Sequence, residues 1–321
     1  MILLLDKSNH FIWGMTCQLG AKRRNLNELK QEQLICNEVD DLARLGYEHN
    51  YGAAPDEDLF TLSKAPFSSL LAKAEKPQAL VCHHSYGQNA SLRPGPAAEP
   101  GFMPYAQYFP AELMRSVNAD DIPFLGSFAT GCTGFISLIM TAGGLSAFSS
   151  GAPVICMTAD VKPDGSTYDA MRERILTTDC CSGFLMGKER CGYQVLGISF
   201  YSTKRPRILL IDIVKRTVNL IRDLAKALEI DLVQNEAVLH FPNAFPDAWE
   251  MVTNYLKIPG EPRPLDGLAE RAHCLSSDPV ITLSKTHRGT AGRLHIVANF
   301  GTGLHLGVCF LREQENPEPV R

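Results

Sequence analysis

The sequence lacks three things: an excess of basic residues, an apolar run long enough to cross a membrane, and cysteine spacing that suits a disulfide framework or a zinc site. Each lack removes a class of function. Lysine and arginine total 31 against 35 aspartate and glutamate, a formal net charge of −4. A nucleic-acid binder needs a basic excess or stripe, so nucleic acid is excluded as a partner. A membrane is excluded too, because no uninterrupted apolar stretch has the length of a span. The apolar start Met1-Ile2-Leu3-Leu4-Leu5 breaks at Asp6-Lys7. It is too short for a signal-peptide core and shows no cleavage pattern, which predicts a first strand. Ten cysteines without a framework or leader are expected as reduced thiols of a cytoplasmic protein. Short-period repeats and low-complexity blocks are absent as well.

What remains is an ordinary globular composition. The chain has 321 residues, 45% hydrophobic and 21% charged, enough for one large α/β unit or two fused halves with a sizeable core. Residues 27–44 predict an exposed helix, partly loop. Residues 56–74 carry helical apolar spacing that Pro66 must end or kink. Residues 79–82 form a short strand, and the proline- and glycine-rich 92–104 a loop that could serve as a substrate-side flap. Residues 105–117 predict a helix and 153–158 a buried strand. Two strands follow at 183–187 and 193–200, then the clearest helix, 208–228, whose Leu210, Val214, Val218, Ile221, Ala225 and Leu228 mark one face. A strand at 237–239 ends on His240, a helix covers 247–257, and two strands at 294–300 and 304–311 are joined by Gly301-Thr302-Gly303. This alternation predicts an α/β fold with parallel strands covered on both faces.

The stretch with the most chemistry in it is Gly126-Ser127-Phe128-Ala129-Thr130-Gly131-Cys132-Thr133-Gly134-Phe135. A small-residue turn carries one cysteine and opens a long apolar helix whose Met and Phe residues are core. At a helix N-terminus the unpaired N–H groups and the dipole favour a thiolate, and flanking glycines let a substrate approach closely. The competing reading is a buried structural thiol, since free cysteine is among the most buried residue types. Cys132 is set apart as the only cysteine in a glycine-flanked turn before such a helix.

Residues Ala129 to Phe135 resemble the nucleophile segment of ketoacyl-ACP synthase III enzymes of the thiolase superfamily, where an A-C-x-G-F turn places the acyl-accepting cysteine. Four later segments follow in the same order. Leu176 to Phe184 resembles f-G-D-G-A-G-A, with Asp179 kept and most small residues replaced. His240-Phe241-Pro242-Asn243 resembles H-Q-A-N, Leu256-Lys257-Ile258-Pro259 resembles L-G-I-P, and Asn299 to Gly307 resembles the closing G-F-G-A-G-x-x-x-G turn. The resemblance implies a thiolase-like five-layer α-β-α-β-α fold of two similar halves, residues 1–165 with the nucleophile and 166–321 with the histidine, in a homodimer. It also implies Cys132 as nucleophile, His240 working beside it, and an oxyanion hole from the backbone N–H groups of Cys132 and Thr302. Asn243, Phe300, Gly301 and Gly303 would line the substrate.

One departure stands out. The family's third residue is an asparagine in G-N-T-S, whereas this chain has Glu270-Arg271-Ala272-His273-Cys274-Leu275-Ser276-Ser277-Asp278-Pro279. Ala272 or His273 falls at that place, and His273 could replace the asparagine as a donor if it were neutral and well placed. Losing one preorganised donor costs about 3–4 kcal/mol, which argues against efficient decarboxylative condensation. The leading expectation is therefore an acyltransferase that moves an acyl group from a CoA or acyl-carrier-protein thioester through acyl-Cys132 to an acceptor. Its setting would be specialised-metabolite or fatty-acid-derived biosynthesis, and it would need no cofactor or metal. Two alternatives stay open: a decarboxylative condensing enzyme using His273, and a non-catalytic subunit paired with an active paralogue. Cys82-His83-His84 suggests metal only weakly, because no second ligand pair has zinc spacing. Cys180-Cys181 are expected as buried neighbours in a rebuilt turn, and His287 and Arg288 as solvated.

Overall fold

The computed structural model describes residues 1–5, 9–92, 107–119, 121–147, 151–170, 174–203, 209–258, 267–287, 289–301 and 304–315. The flap expected at 92–104 lies, after Leu92, outside the described residues, as does Arg288.

The first half runs β1 (Ile2–Leu4), β2 (Phe11–Leu19), β3 (Lys22–Asn25), α1 (Leu26–Gln31), α2 (Val39–Arg44), β4 (His49–Gly52), α3 (Leu59–Lys73) and β5 (Ala79–His83). It continues with β6 (Ser91–Leu92), β7 (Gln107–Tyr108), α4 (Phe109–Arg115), β8 (Phe124–Ser127), α5 (Gly134–Ala147), β9 (Val154–Asp160), β10 (Asp169–Ala170), β11 (Ile175–Leu176) and β12 (Cys180–Gly187). The second half runs β13 (Tyr193–Ser202), α6 (Leu210–Ala227), β14 (Val238–His240), α7 (Pro246–Leu256), α8 (Leu268–Arg271), α9 (Asp278–Thr286), β15 (Leu294–Gly301) and β16 (His305–Glu313).

Among the described residues ten strands form one sheet, in the order β14-β15-β16-β13-β2-β12-β9-β5-β8 with β1 also paired to β13. Pairing exposes an internal repeat. In each half the first long strand pairs antiparallel with the last, the last pairs antiparallel with its predecessor, and that strand pairs parallel with an earlier one: β2-β12-β9-β5 and β13-β16-β15-β14. The repeats meet at the turn 188–192, whereas the division expected at 165/166 falls between β9 and β10. They join through two residue pairs, Tyr193↔Ile12 and Gln194↔Phe11.

The layers follow from apolar patterning. Helix α5 is apolar on nearly every side, and Phe135, Ile136, Leu138, Ile139 and Ala142 are buried. Such a helix is stable only when enclosed. Together with α9 it forms the middle layer, its cluster drawing on both halves of the sheet, from Val154 and Phe184 to Val297 and Leu311. Helices α3 and α4 cover the outer face of the first half, and α6 and α7 that of the second. Five α-β-α-β-α layers result. Helix α6 presents Ile213, Val214, Val218, Ile221 and Leu224 inward, as its spacing predicts.

Several expectations need correction. The sheet is mixed rather than parallel, because β15 and β16 are joined by a connection too short for a parallel crossover. Helix α3 continues through buried Pro66, started by a capping box between Asp58 and Thr61. The segment expected as an exposed helix at 27–44 is split between α1 and α2, and their Leu29 and Leu42 are fully buried with Tyr47 and Tyr168. Cys180 and Cys181 are buried in strand β12, not in a turn, and β12 and β13, consecutive in the chain, are separated by β2. No helix among the described residues is long and apolar enough to cross a membrane.

Phe184 and Phe135 meet in the middle layer with ring centroids 5.4 Å apart. Phe184→Ala is expected to cost about 3–5 kcal/mol in urea unfolding, through lost burial and the cavity left behind.

Candidate active site

Cys132 lies in one turn of 3-10 helix, Gly131–Thr133, that runs straight into α5. Gly131 has φ +51°, the left-handed region that suits glycine. Three side chains from distant elements hold the turn. His83, ending β5, donates from Nε2 to the Gly131 carbonyl at 2.8 Å and accepts at Nδ1 from Ser127 Oγ at 2.8 Å. Burial pushes its pKa down to about 4, so it is neutral and carries a single N–H. Ser276 Oγ donates to the same carbonyl at 3.1 Å and accepts from the Gly134 N–H at 3.2 Å and from Ser85 Oγ at 2.8 Å. Asn299 Nδ2 donates to the Cys132 carbonyl at 3.1 Å. The Cys82-His83-His84 run is thus spent on the fold, His84 Nδ1 bonding the Ala159 carbonyl at 2.6 Å. Among the described residues no His, Cys, Asp and Glu cluster could hold a metal.

Two glycines make this packing possible. A Cβ at Gly134 would lie 2.0 Å from His83 Cδ2 and 2.5 Å from Ser276 Oγ. One at Gly301 would lie 2.2 Å from the Thr130 carbonyl oxygen and 3.3 Å from the Cys132 nitrogen. The end of β15 therefore lies directly against the Cys132 turn, beside the Cys132 N–H. Thr302 and Gly303 lie outside the described residues.

His273 is the histidine that interacts electrostatically with the Cys132 side chain. Helix α8 ends at Arg271, and Ala272 then takes φ 51°, ψ −155°, a conformation that strains a residue with a Cβ. Backbone bonds to Leu176 O at 2.9 Å and from Thr178 N at 3.0 Å hold His273 in place. Its Nδ1 donates to Asp278 Oδ2 at 2.5 Å. The carboxylate also accepts from Arg271 Nη1, from the Asn243 N–H at 2.9 Å and from the Cys274 N–H at 3.2 Å.

The charges follow from this arrangement. Burial opposes a charge on His273, but the Asp278 carboxylate and the interaction with Cys132 outweigh it and raise its pKa to about 10. Burial would likewise raise Asp278, yet Arg271 and His273 hold it down at about 2. Two cations thus share one buried carboxylate. His273 is a protonated donor at neutral pH, not the neutral one expected from the sequence.

The remaining expected residues are distributed as follows. His240 is in register with Val297, on the sheet face that carries Asn299, and its Nε2 bonds His295 Nδ1 at 2.9 Å. Asn243 is drawn behind His273, its Nδ2 donating to the Ala272 carbonyl at 2.9 Å and its N–H to Asp278. The Phe300 ring packs edge-on against Phe245, 5.2 Å away, in the outer α7 layer. His287 is largely buried against Tyr193 and Glu313 rather than solvated. Sequence reasoning missed Asp278, Arg271, Ser276 and Asn299. The signal available was an aspartate five positions after His273, at the start of a helix.

These features define a thiolase-like fold with a cysteine at the entry of its central helix. No protein-family model and no characterised protein matches the sequence, so the likeness is one of structure. ChlB3, described as an acyltransferase, superposes with a TM-score of 0.75 at 13% identity, over 98% of this chain and 100% of that one. The 3-oxoacyl-(acyl carrier protein) synthase III of Pseudomonas aeruginosa gives 0.74 at 17% identity, over 96% and 99%. A fungal type III polyketide synthase gives 0.70 at 12%, over 95% and 100%.

The ionic cluster predicts a pH-dependent stability. His273, raised from 6.5 to about 10, contributes fully below 6.5 and loses its contribution as pH rises through about 10. Asp278, lowered from 3.8 to about 2, contributes above 3.8 and loses its contribution as pH falls through about 2. Asp278→Asn is expected to cost about 3–5 kcal/mol in urea unfolding at pH 6, with the gap narrowing toward pH 10.

Proposed function

We propose that the chain is a thioester-dependent acyltransferase that works through acyl-Cys132. The observation that carries this reading is the His273–Asp278 pair beside Cys132, with whose side chain His273 interacts, the Cys132 turn being seated against Gly301. The Cys132 thiolate attacks the carbonyl of a CoA or acyl-carrier-protein thioester. A new C–S bond forms as the donor's C–S bond breaks, and the departing thiolate takes up the proton that the Cys132 thiol gave up. The Cys132 N–H is placed to meet the oxyanion. In the second half the acceptor gives a proton to His240 as it bonds to the acyl carbon, and the electrons of the breaking C–S bond return to Cys132. No further cofactor enters these steps.

Decarboxylative condensation is a second reading, favoured by one observation. His273 is protonated at neutral pH and interacts with the Cys132 side chain, which supports a donor role toward an enolate in place of the missing asparagine.

Intact-protein mass spectrometry with a panel of acyl-CoA and acyl-carrier thioesters tests both readings. A gain of one acyl group, absent in Cys132→Ala, is expected. His273→Ala should slow acylation by roughly 100- to 1,000-fold. Release of CO2 from a malonyl thioester would favour condensation, and no gain with any donor would favour a non-catalytic subunit beside an active paralogue.

A homodimer through β8 belongs to the same proposal. This strand is the sheet's edge and exposes Phe124 and Leu125, with Phe128 and Tyr108 exposed nearby. An apolar edge of this kind invites strand pairing. Leu125→Asp is expected to shift the mass measured by light scattering from dimer to monomer. Ten free cysteines support a reducing, cytoplasmic setting.

A further inference from the structure

We infer that His295 and Glu313 form a buried relay that holds His240 in its Nε2–H tautomer, leaving Nδ1 as the nitrogen that takes up a proton. The inference rests on the role proposed for His240.

The geometry is a line of three side chains. Glu313, in β16, is fully buried. Its Oε1 accepts from the Gly289 N–H at 2.7 Å and the Thr290 N–H at 3.3 Å, and its Oε2 lies 3.2 Å from His295 Nε2. A carboxylate that already collects backbone donors can only accept from His295, so the proton of His295 sits on Nε2. Its Nδ1 is then a lone pair, and the atom 2.9 Å away, His240 Nε2, must donate to it. The His240 and His295 ring planes are 12° apart with centroids at 5.1 Å, the nearly coplanar arrangement that an in-plane N–H···N bond requires.

The surroundings favour a single proton on His295. Burial holds its pKa at about 4, against the hydrogen bond and charge of Glu313, with Arg293 and His287 adding to the lowering. Tyr193 packs edge-on against both His295 and His287, at 5.0 and 5.1 Å. His287 Nε2 stands 3.9 Å from Glu313 Oε1. When His240 gains a proton on Nδ1, its positive charge is stabilised through His295 by the Glu313 carboxylate. An oriented carboxylate acts in the same way on the histidine of a Ser-His-Asp triad, here with one imidazole inserted. His295 and Glu313 are therefore positioning residues, and their effect belongs to transfer to the acceptor rather than to acylation of Cys132.

Two measurements on the full chain test the relay. In the first, [15N]histidine-labelled protein is examined by long-range 1H–15N correlation at pH 7. Both His240 and His295 are expected as neutral Nε2–H tautomers, and an Nδ1–H tautomer of either ring would overturn the relay. This result does not depend on activity, so it stands apart from any failure of Cys132 to accept an acyl group. The second compares His295→Phe, Glu313→Gln and Glu313→Asp with wild type, following acylation and discharge of Cys132 separately. His295→Phe and Glu313→Gln should slow discharge at least tenfold more than they slow acylation. In Glu313→Gln the acid limb of the discharge profile should move to lower pH, because the imidazolium loses its counter-charge, and Glu313→Asp should restore part of the rate. Equal losses in both half-reactions with an unmoved acid limb would reduce these residues to packing.

Discussion

The carboxylate of Asp278 is the constraint on which the site depends. It is buried, ionised and shared by Arg271, His273 and the backbone N–H groups of Asn243 and Cys274. Those donors come from the end of α8, from the strained link after it and from the loop between β14 and α7. A buried charge is tolerated only when it is paired and fully hydrogen-bonded. The carboxylate thus forces these three segments to converge, and their convergence places the His273 ring at Cys132. The fold pays for this in backbone strain at Ala272.

Close approach is the second condition. The Cys132 turn belongs to the first repeat, and β15, which touches it, belongs to the second. Glycine at 134 and 301 brings backbone to backbone where any Cβ would intrude. His83, Ser276 and Asn299 then satisfy the carbonyls of a turn that has almost no solvent to do so. The apolar helix α5 anchors this assembly because the middle layer encloses it on both sides.

The motif turn around Cys132, the strand ending on His240 and the paired strands around Gly301 were all legible in residue order, because glycine, apolar runs and turn residues act locally. The long strand β2 was not. Its mixed run Phe11-Ile12-Trp13-Gly14-Met15-Thr16-Cys17-Gln18-Leu19 gives no clean alternation, and its partner β12 lies some 160 residues away in the chain, by order of magnitude of the sequence separations that make sheet pairing non-local. Pro66 inside α3 misled for the opposite reason: the local rule is sound, but packing of the helix against the sheet outweighs one lost bond.

By itself the sequence determined the alternation of strands and helices, the cysteine turn and the lack of an asparagine in residues 270–279, because each is written in neighbouring residues. Only the tertiary structure decided that His273 is the histidine interacting with Cys132 and what charge it carries. That depends on a carboxylate five positions away, an arginine on the preceding helix and the exclusion of water, and electrostatic energies in a buried site are set by distance in space and desolvation rather than by position in the chain.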